Sequence, residues 1–439
     1  MKTPSPANGS SDARNSRRQF LKQSSAAMGG VLAMPYLMPS RADGAEGDIV
    51  RIGLVGCGGR GTGAANEALT TGRNVELVAM GDVFENQLRN SLATLTELKR
   101  DQVKVDSDRQ FVGLDAYQKV IDSGVDAVLL TTPPGFRPLH LKAAVAAGKH
   151  VFCEKPMATD APGVRSVLAS AEEAKRKNLG LVAGFCWRYN RERRAFYEQV
   201  HNGAIGDIRA LYSTFYTGPV KQMPPDSARR AEWSDVEWQL RNWYNFTWLS
   251  GDGLVEQAVH SVDKIAWAMR DVPPLKAVAV GGRQIPNHSG NIYDHFEVNY
   301  EYADDVRAFL GCRQQTGCYS ENNDYLMGTK GVGTIGRRPT TLIRGGTDWQ
   351  YQGPTNNMYQ TEHDELFASI RSGKPINDGV WMAHSTLMAI MGRMAAYTGQ
   401  EVTWDMALNS EEKLVPEPLT WDMPLEIRPM AMPGRTRFV

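Results

Sequence analysis

This sequence predicts an α/β fold, in which a doubly wound parallel sheet is followed by an α+β domain with a large, mostly antiparallel sheet. Short apolar, β-branched runs alternate with helical stretches from Asp48 onward, and a glycine-rich turn follows the first run. After about Asn190, alternating apolar and polar residues replace this order, as is typical of strands with one buried face. The length of 439 residues is enough for two or three domains.

The elements of the first half follow one another as strand, helix, strand. The predicted strands span residues 50–55, 75–80, 127–131, 150–153 and 181–184. The predicted helices between them span residues 61–69, 84–98, 139–147 and 161–177. Strands joined by crossover helices form a parallel sheet with right-handed connections, so we expect residues 48–186 to form one domain.

The second half contains strand patterns at residues 208–216, 276–280, 296–302 and 306–312. The last two flank Ala303-Asp304-Asp305, a short polar segment typical of a hairpin turn. A helix is predicted over 254–269, and two more over 362–371 and 382–397 end at Gly373 and Gly399. We therefore expect a second domain over 187–405 and an extended tail over 406–439, with the final helices of 360–399 as candidates for packing back on the first domain.

Composition excludes several classes of protein. The 49 Lys and Arg residues balance the 49 Asp and Glu residues, so there is no electrostatic footprint for nucleic acid. No run of eighteen uncharged apolar residues is present, so no membrane-spanning helix is expected. The five cysteines form no C-x-x-C pair, which argues against a disulfide framework or a zinc ribbon, and we predict no metal site.

Residues 1–42 have the features of an export signal. Ser16-Arg17-Arg18-Gln19-Phe20-Leu21-Lys22 resembles a twin-arginine motif, a weakly apolar stretch follows, and Ser40-Arg41-Ala42 is a small-x-small cleavage site. A disordered basic tail is the alternative. Removing this segment takes away six basic residues and one acid, so the mature chain has 43 basic and 48 acidic residues and a net charge of −5. The interpretation implies the twin-arginine translocase as a partner and a periplasmic or extracellular location.

The first strand leads into a G-x-G-x-x-G turn at a helix start, Gly56-Cys57-Gly58-Gly59-Arg60-Gly61. Gly56, Gly58, Gly59 and Gly61 permit a tight turn that brings backbone N–H groups to a pyrophosphate. Asp82 ends the next strand 21 residues after Gly61, where a carboxylate contacts the adenosine ribose and repels a 2′-phosphate. The pattern predicts a Rossmann domain that binds NAD. Arg60 keeps NADP open, because a nearby arginine can accept a 2′-phosphate.

A second constellation lies on the helix predicted over 254–269. Glu256, His260 and Asp263 are spaced i, i+4, i+7, which places all three on one helix face. An acid one turn before a histidine can hold its tautomer and raise its basicity. A partly buried histidine satisfied by its own helix is the structural alternative, and the trio is a poor zinc site.

Aromatic residues with interleaved amides and arginines surround this helix in sequence. Trp187-Arg188-Tyr189-Asn190 follows the last strand of the first domain, and four tryptophans lie between Trp233 and Trp248. Such a mixture suits a sugar, which has apolar ring faces and hydroxyl edges, but it is equally consistent with core or interface packing. Arg188, Tyr189, Tyr244 and Asp263 are the candidate substrate contacts.

Two further strand ends carry distinctive motifs, Thr131-Thr132-Pro133-Pro134 and Glu154-Lys155-Pro156. With the glycine turn and the histidine helix, in this order, the chain resembles the Gfo/Idh/MocA oxidoreductases over roughly residues 48–404, and its leader resembles their exported members. The resemblance implies that Thr132 and Pro133 line the cofactor and that Lys155 lies beside the nicotinamide and contacts the substrate hydroxyl. It also implies that Glu154 anchors the ribose or orients Lys155, and that His260 is the acid–base group. Glu256 stands where many members have Asp.

These observations predict an exported NAD(P)-dependent oxidoreductase that transfers hydride between a sugar or cyclitol secondary alcohol and a tightly bound cofactor. Lys155, His260 and Glu256 are the catalytic candidates. Export implies a non-dissociating cofactor that is recycled in place by a second substrate. The alternatives are a glycoside hydrolase that uses bound NAD without net redox change, against which the intact Glu154-Lys155-Pro156 argues, and a non-catalytic sugar-binding protein. By resemblance, the chain is expected to form dimers or tetramers.

Overall fold

The parallel sheet of the first half is present in the computed structural model, which describes residues 49–285, 289–336 and 342–439. Its strands are β1 (Val50–Val55), β2 (Val75–Asp82), β3 (Gln110–Val112), β4 (Ala127–Leu130), β5 (His150–Cys153) and β6 (Leu181–Ala183). Their order is β3-β2-β1-β4-β5-β6, and every neighbouring pair is parallel. The order reverses between β1 and β4, so a crevice opens at the carboxyl ends of these two strands.

Helices cover both faces of this sheet. They are α1 (Gly59–Thr70), α2 (Glu85–Lys99), α3 (Ala116–Asp122), α4 (Arg137–Ala146) and α5 (Ala161–Arg176). Apolar strand residues such as Ile52, Leu77, Leu129 and Phe152 are fully buried, because both faces are covered. The predicted fold class is confirmed here, although β3 and α3 were not predicted from the sequence: three and seven residues are too few for a periodic pattern.

The second half forms a mixed sheet whose order is β14-β13-β12-β11-β7-β10-β9-β8-β15. Its strands are β7 (Ile208–Thr217), β8 (Lys276–Gly282), β9 (His295–Glu301), β10 (Arg307–Gln314), β11 (Asp324–Gly328), β12 (Val332–Ile335), β13 (Leu342–Arg344), β14 (Trp349–Gln350) and β15 (Val402–Thr403). Only β7 and β10 pair in parallel among the described strands of this sheet. The hairpin predicted at 303–305 joins β9 to β10, and Asp304 and Asp305 adopt positive φ there. The expectation of a mostly antiparallel sheet is therefore confirmed.

Helices pack on one face of the second sheet and on the first half of the chain. They are α6 (Arg191–His201), α7 (Asp235–Arg241), α8 (Thr247–Ser250), α9 (Val259–Ala268), α10 (Met358–Arg371), α11 (Gly379–Thr398) and α12 (Trp404–Asn409). The side chain of Gln360 in α10 donates to the Glu67 carbonyl in α1, and Thr386 in α11 accepts from the Met157 amide. The final helices thus contact the first half, while the predicted domain boundaries stay a prediction.

The helix predicted over 254–269 differs from a regular α-helix at its start. Leu254–Ala258 form a π-helical turn, and α9 continues from Val259. A π turn holds one more residue than an α turn, so the residues before and after it no longer share the α-helical face that their spacing predicts.

The tail begins with helix rather than extended chain, because Thr403 caps the amide of Met406 and α12 includes residues 406–409. Beyond α12, residues 414–425 pack against a tryptophan-rich segment, residues 233–249. We refer to residues 414–425 as the C-terminal strap and to residues 233–249 as the aromatic cover. The strap is held by hydrogen bonds from Gln239 Nε2 to the Leu425 carbonyl (2.8 Å) and from the Leu425 amide to Asp235 (3.1 Å).

Within the described residues, no helix is long and apolar enough to cross a membrane. The predicted leader, residues 1–42, lies outside them.

Candidate functional site

The glycine turn follows β1 and leads directly into α1. Gly56 has φ +95°, and a side chain at Gly61 would collide with the Gly56 carbonyl oxygen, since a Cβ there would lie 1.9 Å from it. Gly58 and Gly59 face open space, and a Cβ at either position would have no neighbouring atom within 4 Å. Gly58 supplies no side-chain cap to α1, so the first N–H groups of the helix remain available to an anion. This cradle fits a pyrophosphate.

Asp82 lies beside the glycine turn at the end of β2. Its carboxylate accepts hydrogen bonds from the Cys57 amide (2.6 Å) and the Phe84 amide (2.8 Å). Burial raises its pKa above the ordinary value, while the backbone donors oppose that rise. The carboxylate also lines the cavity described below, in the position where Rossmann domains contact the adenosine ribose.

Arg60 points toward carboxylates rather than away from them. Its Nε lies 2.9 Å from Glu154 Oε1, and it also pairs with Glu67. Its guanidinium lies 5.3 Å from the ring centroid of Tyr359 in α10. An arginine already paired with two carboxylates is a weaker candidate for holding a 2′-phosphate than the sequence indicated.

Glu154 is almost fully buried, and it contacts Lys155 only through the backbone. Its Oε2 accepts from the Lys155 amide at 3.1 Å, and its other oxygen is taken by Arg60. A side chain at Gly184 would collide with this carboxyl, since a Cβ there would lie 2.7 Å from Oε2. Glu154 therefore fixes the turn that carries Lys155.

The Thr-Pro loop after β4 is tied to the Lys155 loop by a residue that sequence reasoning did not select. Arg137 is buried, and its guanidinium donates to the carbonyls of Pro156 (2.5 Å) and Thr132. The side chain of Thr132 bonds His140 Nδ1 at 3.2 Å. Arg137 thus holds the two loops at the ends of β4 and β5 in one arrangement. An arginine three residues after the Thr-Pro-Pro segment, close enough to face the cleft, was the available signal.

Lys155 and Glu256 form a nearly buried ion pair. Lys155 Nζ lies 2.8 Å from Glu256 Oε1 and also donates to the Glu256 carbonyl, and the two side chains are 11% and 8% exposed. The remaining carboxylate oxygen of Glu256 accepts from Gln257 Nε2 at 2.5 Å. The predicted support of His260 by Glu256 is thus corrected, because the carboxylate is occupied by Lys155 and Gln257.

His260 lies on the same cavity wall as Lys155. The rings of Phe185 and Trp187 meet its imidazole edge-on at centroid distances of 6.1 and 6.4 Å. Its Nδ1 is buried without a hydrogen-bond partner among the described residues. Burial lowers the pKa of His260 well below 6.5, and the charges of Lys155 and Lys264 lower it further. The imidazole is therefore neutral at neutral pH.

Asp263 lies away from the cavity that Glu256 and His260 line, contrary to the expectation that the three side chains face one site. It is 1% exposed, and both its oxygens accept from Arg188, with Ser385 donating at 2.8 Å. Glu256 lies within the π turn, whereas His260 and Asp263 lie in α9, so the spacing from Glu256 to these two residues is not the regular α-helical spacing on which the expectation rested. Asp263 lies outside the cavity that His260 lines.

The other predicted substrate contacts also lie away from this cavity. Arg188 is held by Asp263 and Asp271 and stacks on Trp381 at 4.0 Å. Tyr189 is buried and donates to Asp378 at 2.6 Å, while Tyr244 is buried and donates to Gln314 Oε1 at 2.7 Å. Residue type and proximity in sequence selected them. The packing alternative describes Arg188 and Tyr189 better, while Tyr244 lines a second cavity that is described below.

One cavity of about 560 Å³ joins the glycine turn to Lys155 and His260. It includes Gly56, Gly58, Gly59, Arg60, Gly61, Asp82, Thr132, Pro133, Glu154, Lys155, Glu256 and His260. The lining also includes Arg241 and Trp243, from the segment that the sequence left open between sugar contact and packing, and Lys221 and Tyr359, which sequence reasoning missed. The structure thus brings the predicted cofactor residues and the predicted catalytic residues into one space. No group of three or more His, Cys, Asp or Glu side chains in the described ranges is arranged to hold a metal ion.

Comparison with known proteins gives a family match over the first half of the fold. Residues 50–181 match the sequence model of the GFO_IDH_MocA family, described as an oxidoreductase family with an NAD-binding Rossmann fold. The chain is 26% identical to inositol 2-dehydrogenase of Acidothermus cellulolyticus over 257 residues, which cover 58% of this chain and 64% of that protein. It is 22% identical to inositol 2-dehydrogenase of Serratia proteamaculans over 369 residues, which cover 80% of this chain and 95% of that protein.

A solved structure shares the fold across both sheets. The WlbA dehydrogenase from Bordetella pertussis, in complex with NADH and UDP-GlcNAcA, superposes with a TM-score of 0.63 at 19% sequence identity, covering 82% of this chain and 99% of that one. By the family match in the NAD-binding part, the relatives that extend along the chain and the common fold, this chain is similar to the oxidoreductases of the Gfo/Idh/MocA family.

Proposed function

We propose that this chain oxidises a secondary alcohol of a sugar or cyclitol, or reduces the corresponding ketone, with a nicotinamide cofactor held in the 560 Å³ cavity. The observation that carries the proposal is that Lys155 and His260 line the same cavity as the glycine turn. The inositol 2-dehydrogenases among the relatives support a polyol as substrate.

The residues present fit a dinucleotide. The glycine turn and the uncapped start of α1 would hold the pyrophosphate, and Asp82 would accept from the adenosine ribose. When bound, the nicotinamide supplies the hydride acceptor or donor. Asp82 disfavours a 2′-phosphate, and Arg60 is engaged by Glu154 and Glu67, so we propose NAD as the cofactor.

Lys155 and His260 would divide the work on the hydroxyl proton. Glu256 keeps a positive charge on Lys155 in place, and an ammonium next to the alcohol stabilises the developing alkoxide. His260 is neutral, so its imidazole can accept the hydroxyl proton as hydride leaves and return it in the reverse direction. Glu256 acts as a positioning residue for Lys155.

The aromatic cover supports a cofactor that does not dissociate. Leu240, Arg241 and Trp243 of the cover line the cavity. The cover also packs on Val83 and Phe84, which directly follow Asp82. The Arg241 guanidinium lies 4.2 Å from the ring centroid of Phe84. The ring of Trp421, in the C-terminal strap, also packs on Phe84, with 6.1 Å between the two ring centroids. Release of the adenosine end would therefore require the cover to move against the strap.

Export and self-association complete the proposal. The twin-arginine motif at Arg17 and Arg18 supports translocation of a folded protein with its nucleotide bound. Exchange of both arginines for lysine should retain the protein in the cytoplasm.

The uncovered face of the second sheet exposes the apolar side chains of Val278, Val280 and Met327, beside Tyr212 and Phe309. Such an apolar face supports a homo-oligomer. Light scattering of the purified protein tests this.

The decisive experiment uses the purified full chain. Denaturation should release a nicotinamide nucleotide in about one equivalent per chain, and the absorbance of the bound cofactor at about 340 nm should change when a panel of cyclitols, aldoses and uronates is added. If no nucleotide is released and no compound in the panel changes the absorbance, the proposal is wrong. Release of nitrophenol from nitrophenyl glycosides without net reduction of the cofactor would establish the hydrolase alternative instead.

A further inference from the structure

A second cavity, of about 590 Å³, adjoins the one that holds Lys155 and His260. It lies at the end of the second sheet where β8, β9 and β10 meet, and it shares the Lys221 side chain with the first cavity. Its volume falls within the range of small-ligand sites. The glycine turn, Lys155 and His260 do not line it, so it is not the cofactor site.

The wall of this second cavity is firmly braced by Asp294. The carboxylate accepts from the amides of Gln284 (2.8 Å) and Ile285 (2.7 Å) and from the side chains of Gln315 (3.1 Å) and His295 (2.7 Å). Both oxygens are thus occupied by groups of the protein. Asp294 shapes the cavity and offers no further acceptor to a ligand.

The lining is rich in groups that recognise hydroxyls. Among the described residues that line it, five carry side-chain amides: Gln222, Asn245, Gln284, Gln314 and Gln315. Amides both donate and accept, which suits a polyol, and the Tyr244 and Tyr293 rings supply apolar surface for a sugar ring.

One of these amides lacks a partner. Gln314 is 5% exposed, and its Oε1 accepts from Tyr244, but its Nε2 is buried without a hydrogen-bond partner among the described residues. A buried NH₂ group without a hydrogen-bond acceptor destabilises the fold. A ligand oxygen in this cavity would supply the acceptor that the Gln314 amide lacks.

The charges of the lining favour an anion. Lys221 and Arg283 contribute two cations, and Asp294, whose oxygens are occupied, is the single carboxylate among the described lining residues. Arg283 donates to the Gly290 carbonyl and interacts electrostatically with Asp294, and Lys221 donates to the Arg241 carbonyl. The described lining still carries two cations against one carboxylate. A carboxylate would find charge-assisted hydrogen bonds here.

From this chemistry we propose that the second cavity is a binding site for an acidic sugar, a pyranose that carries a carboxylate, with the ring among the amides and tyrosines and the carboxylate near Lys221 and Arg283. The site is independent of the hydride chemistry proposed above. Its ligand is either a free uronate or the terminal acidic unit of a longer saccharide that reaches toward the first cavity past Lys221.

The test is calorimetric titration of the full chain, with its bound nucleotide, using D-glucuronate and D-glucose. We expect glucuronate to bind at least about tenfold more tightly than glucose, which corresponds to one charge-assisted interaction. Arg283→Gln should weaken glucuronate binding by about tenfold or more, and Gln314→Leu should weaken both sugars. Arg209→Gln, an exposed charge on β7, is the matched control and should bind as the parent does.

Lys155→Met separates this site from the catalytic one. Unchanged glucuronate affinity in that variant supports the second cavity, and loss of it would show that the sugar occupies the first cavity and would overturn the proposal. No measurable preference for glucuronate over glucose, or affinity unaffected by Arg283→Gln, would overturn it as well. A glucuronyl disaccharide is tested in the same way. If it changes the absorbance of the bound cofactor and its KM is raised in Arg283→Gln, the ligand is the acidic end of a longer saccharide. If only free glucuronate binds, the ligand is the monosaccharide.

Discussion

Two buried ion pairs connect the end of the Rossmann sheet to the same helical segment, and they differ in what they face. Lys155–Glu256 lines the cavity that begins at the glycine turn, whereas Arg188–Asp263 is closed off by Asp271, Ser385 and Trp381. The carboxylates are seven residues apart on the chain and similarly buried. Residue type and burial therefore do not distinguish a catalytic charge from a structural one; access to the cavity does.

Removing the charge of Lys155 should have the largest effect. We expect Lys155→Met to lower kcat for alcohol oxidation by about 10²–10⁴-fold, because the alkoxide loses its cationic partner. Steady-state kinetics on the sugar or cyclitol identified in the panel measure this.

The double variant Lys155→Met/Glu256→Gln serves as the control for a buried, unpaired carboxylate. It should fold as the parent does and stay as slow as Lys155→Met. Lys142→Met, on the exposed side of α4, should keep the parent rate. Recovery of activity in the double variant would show that Lys155 only neutralises Glu256.

Breaking the other pair should affect stability and leave the chemistry intact. Asp263→Ala leaves Arg188 nearly buried with Asp271 as its remaining partner, so we expect the free energy of unfolding to fall by about 3 kcal/mol. Chemical denaturation measures this loss. The kcat, calculated per folded chain with bound nucleotide, should stay within about twofold of the parent value. A kcat loss comparable to that of Lys155→Met would abolish the distinction between the two pairs.

The third prediction concerns pH. The pKa of His260 lies well below 6.5, so the neutral imidazole that accepts the proton persists as the pH falls through 6.5. We expect kcat/KM for oxidation to stay level from about pH 7 down past 6.5, and His260→Asn to lower it about 10²-fold over the whole range. A decline with an apparent pKa at or above 6.5 would mean that the imidazole carries a proton in the working enzyme.

The smallest effect should come from the C-terminal strap. Trp421→Ala removes a ring that packs beside Phe84 at the adenosine end of the cavity, so bound nucleotide should leave about tenfold faster, as one lost aromatic contact of about 1.4 kcal/mol implies. Fluorescence of bound NADH during dilution measures the rate. Met432→Ala, an exposed side chain beyond the strap, is the control, and equal rates in both variants would assign retention to the cover alone.

The sequence predicted the cofactor side of the site better than the substrate side. The glycine turn, Asp82 and the motif that carries Lys155 are local: each lies where a strand ends, and strand ends of a parallel sheet meet at one edge. Their convergence therefore follows once the strands are recognised. Most of the parallel sheet, strands β7 to β10 and the β9–β10 hairpin were predictable because their residue patterns are periodic, whereas the shorter strands β11 to β15 were not predicted.

The substrate side depends on packing that local pattern does not determine. The π turn at Leu254–Ala258 changes the spacing between Glu256 and the two residues that follow it on the helix, His260 and Asp263, and no sequence period marks such a turn. Tyr244 and Tyr189 were selected as aromatic residues near the helix, yet each is buried and donates to a residue distant in sequence, Gln314 or Asp378. The aromatic cover packs both on the strap and on Val83 and Phe84, and these long-range contacts have no local sequence signal.

The position of the strap near the end of the chain links the proposed retention of the nucleotide to the order in which the segments are synthesised. Residues 414–425 follow every helix and strand of both sheets in chain order, so a ribosome produces them after the glycine turn, the catalytic loops and the cover itself. On the proposal made above, a nascent chain can take up its nucleotide while the strap does not yet pack on the cover. Slow dissociation of the nucleotide is then expected only of the finished polypeptide. A chain shortened before Leu414 should lose its nucleotide faster than the full chain.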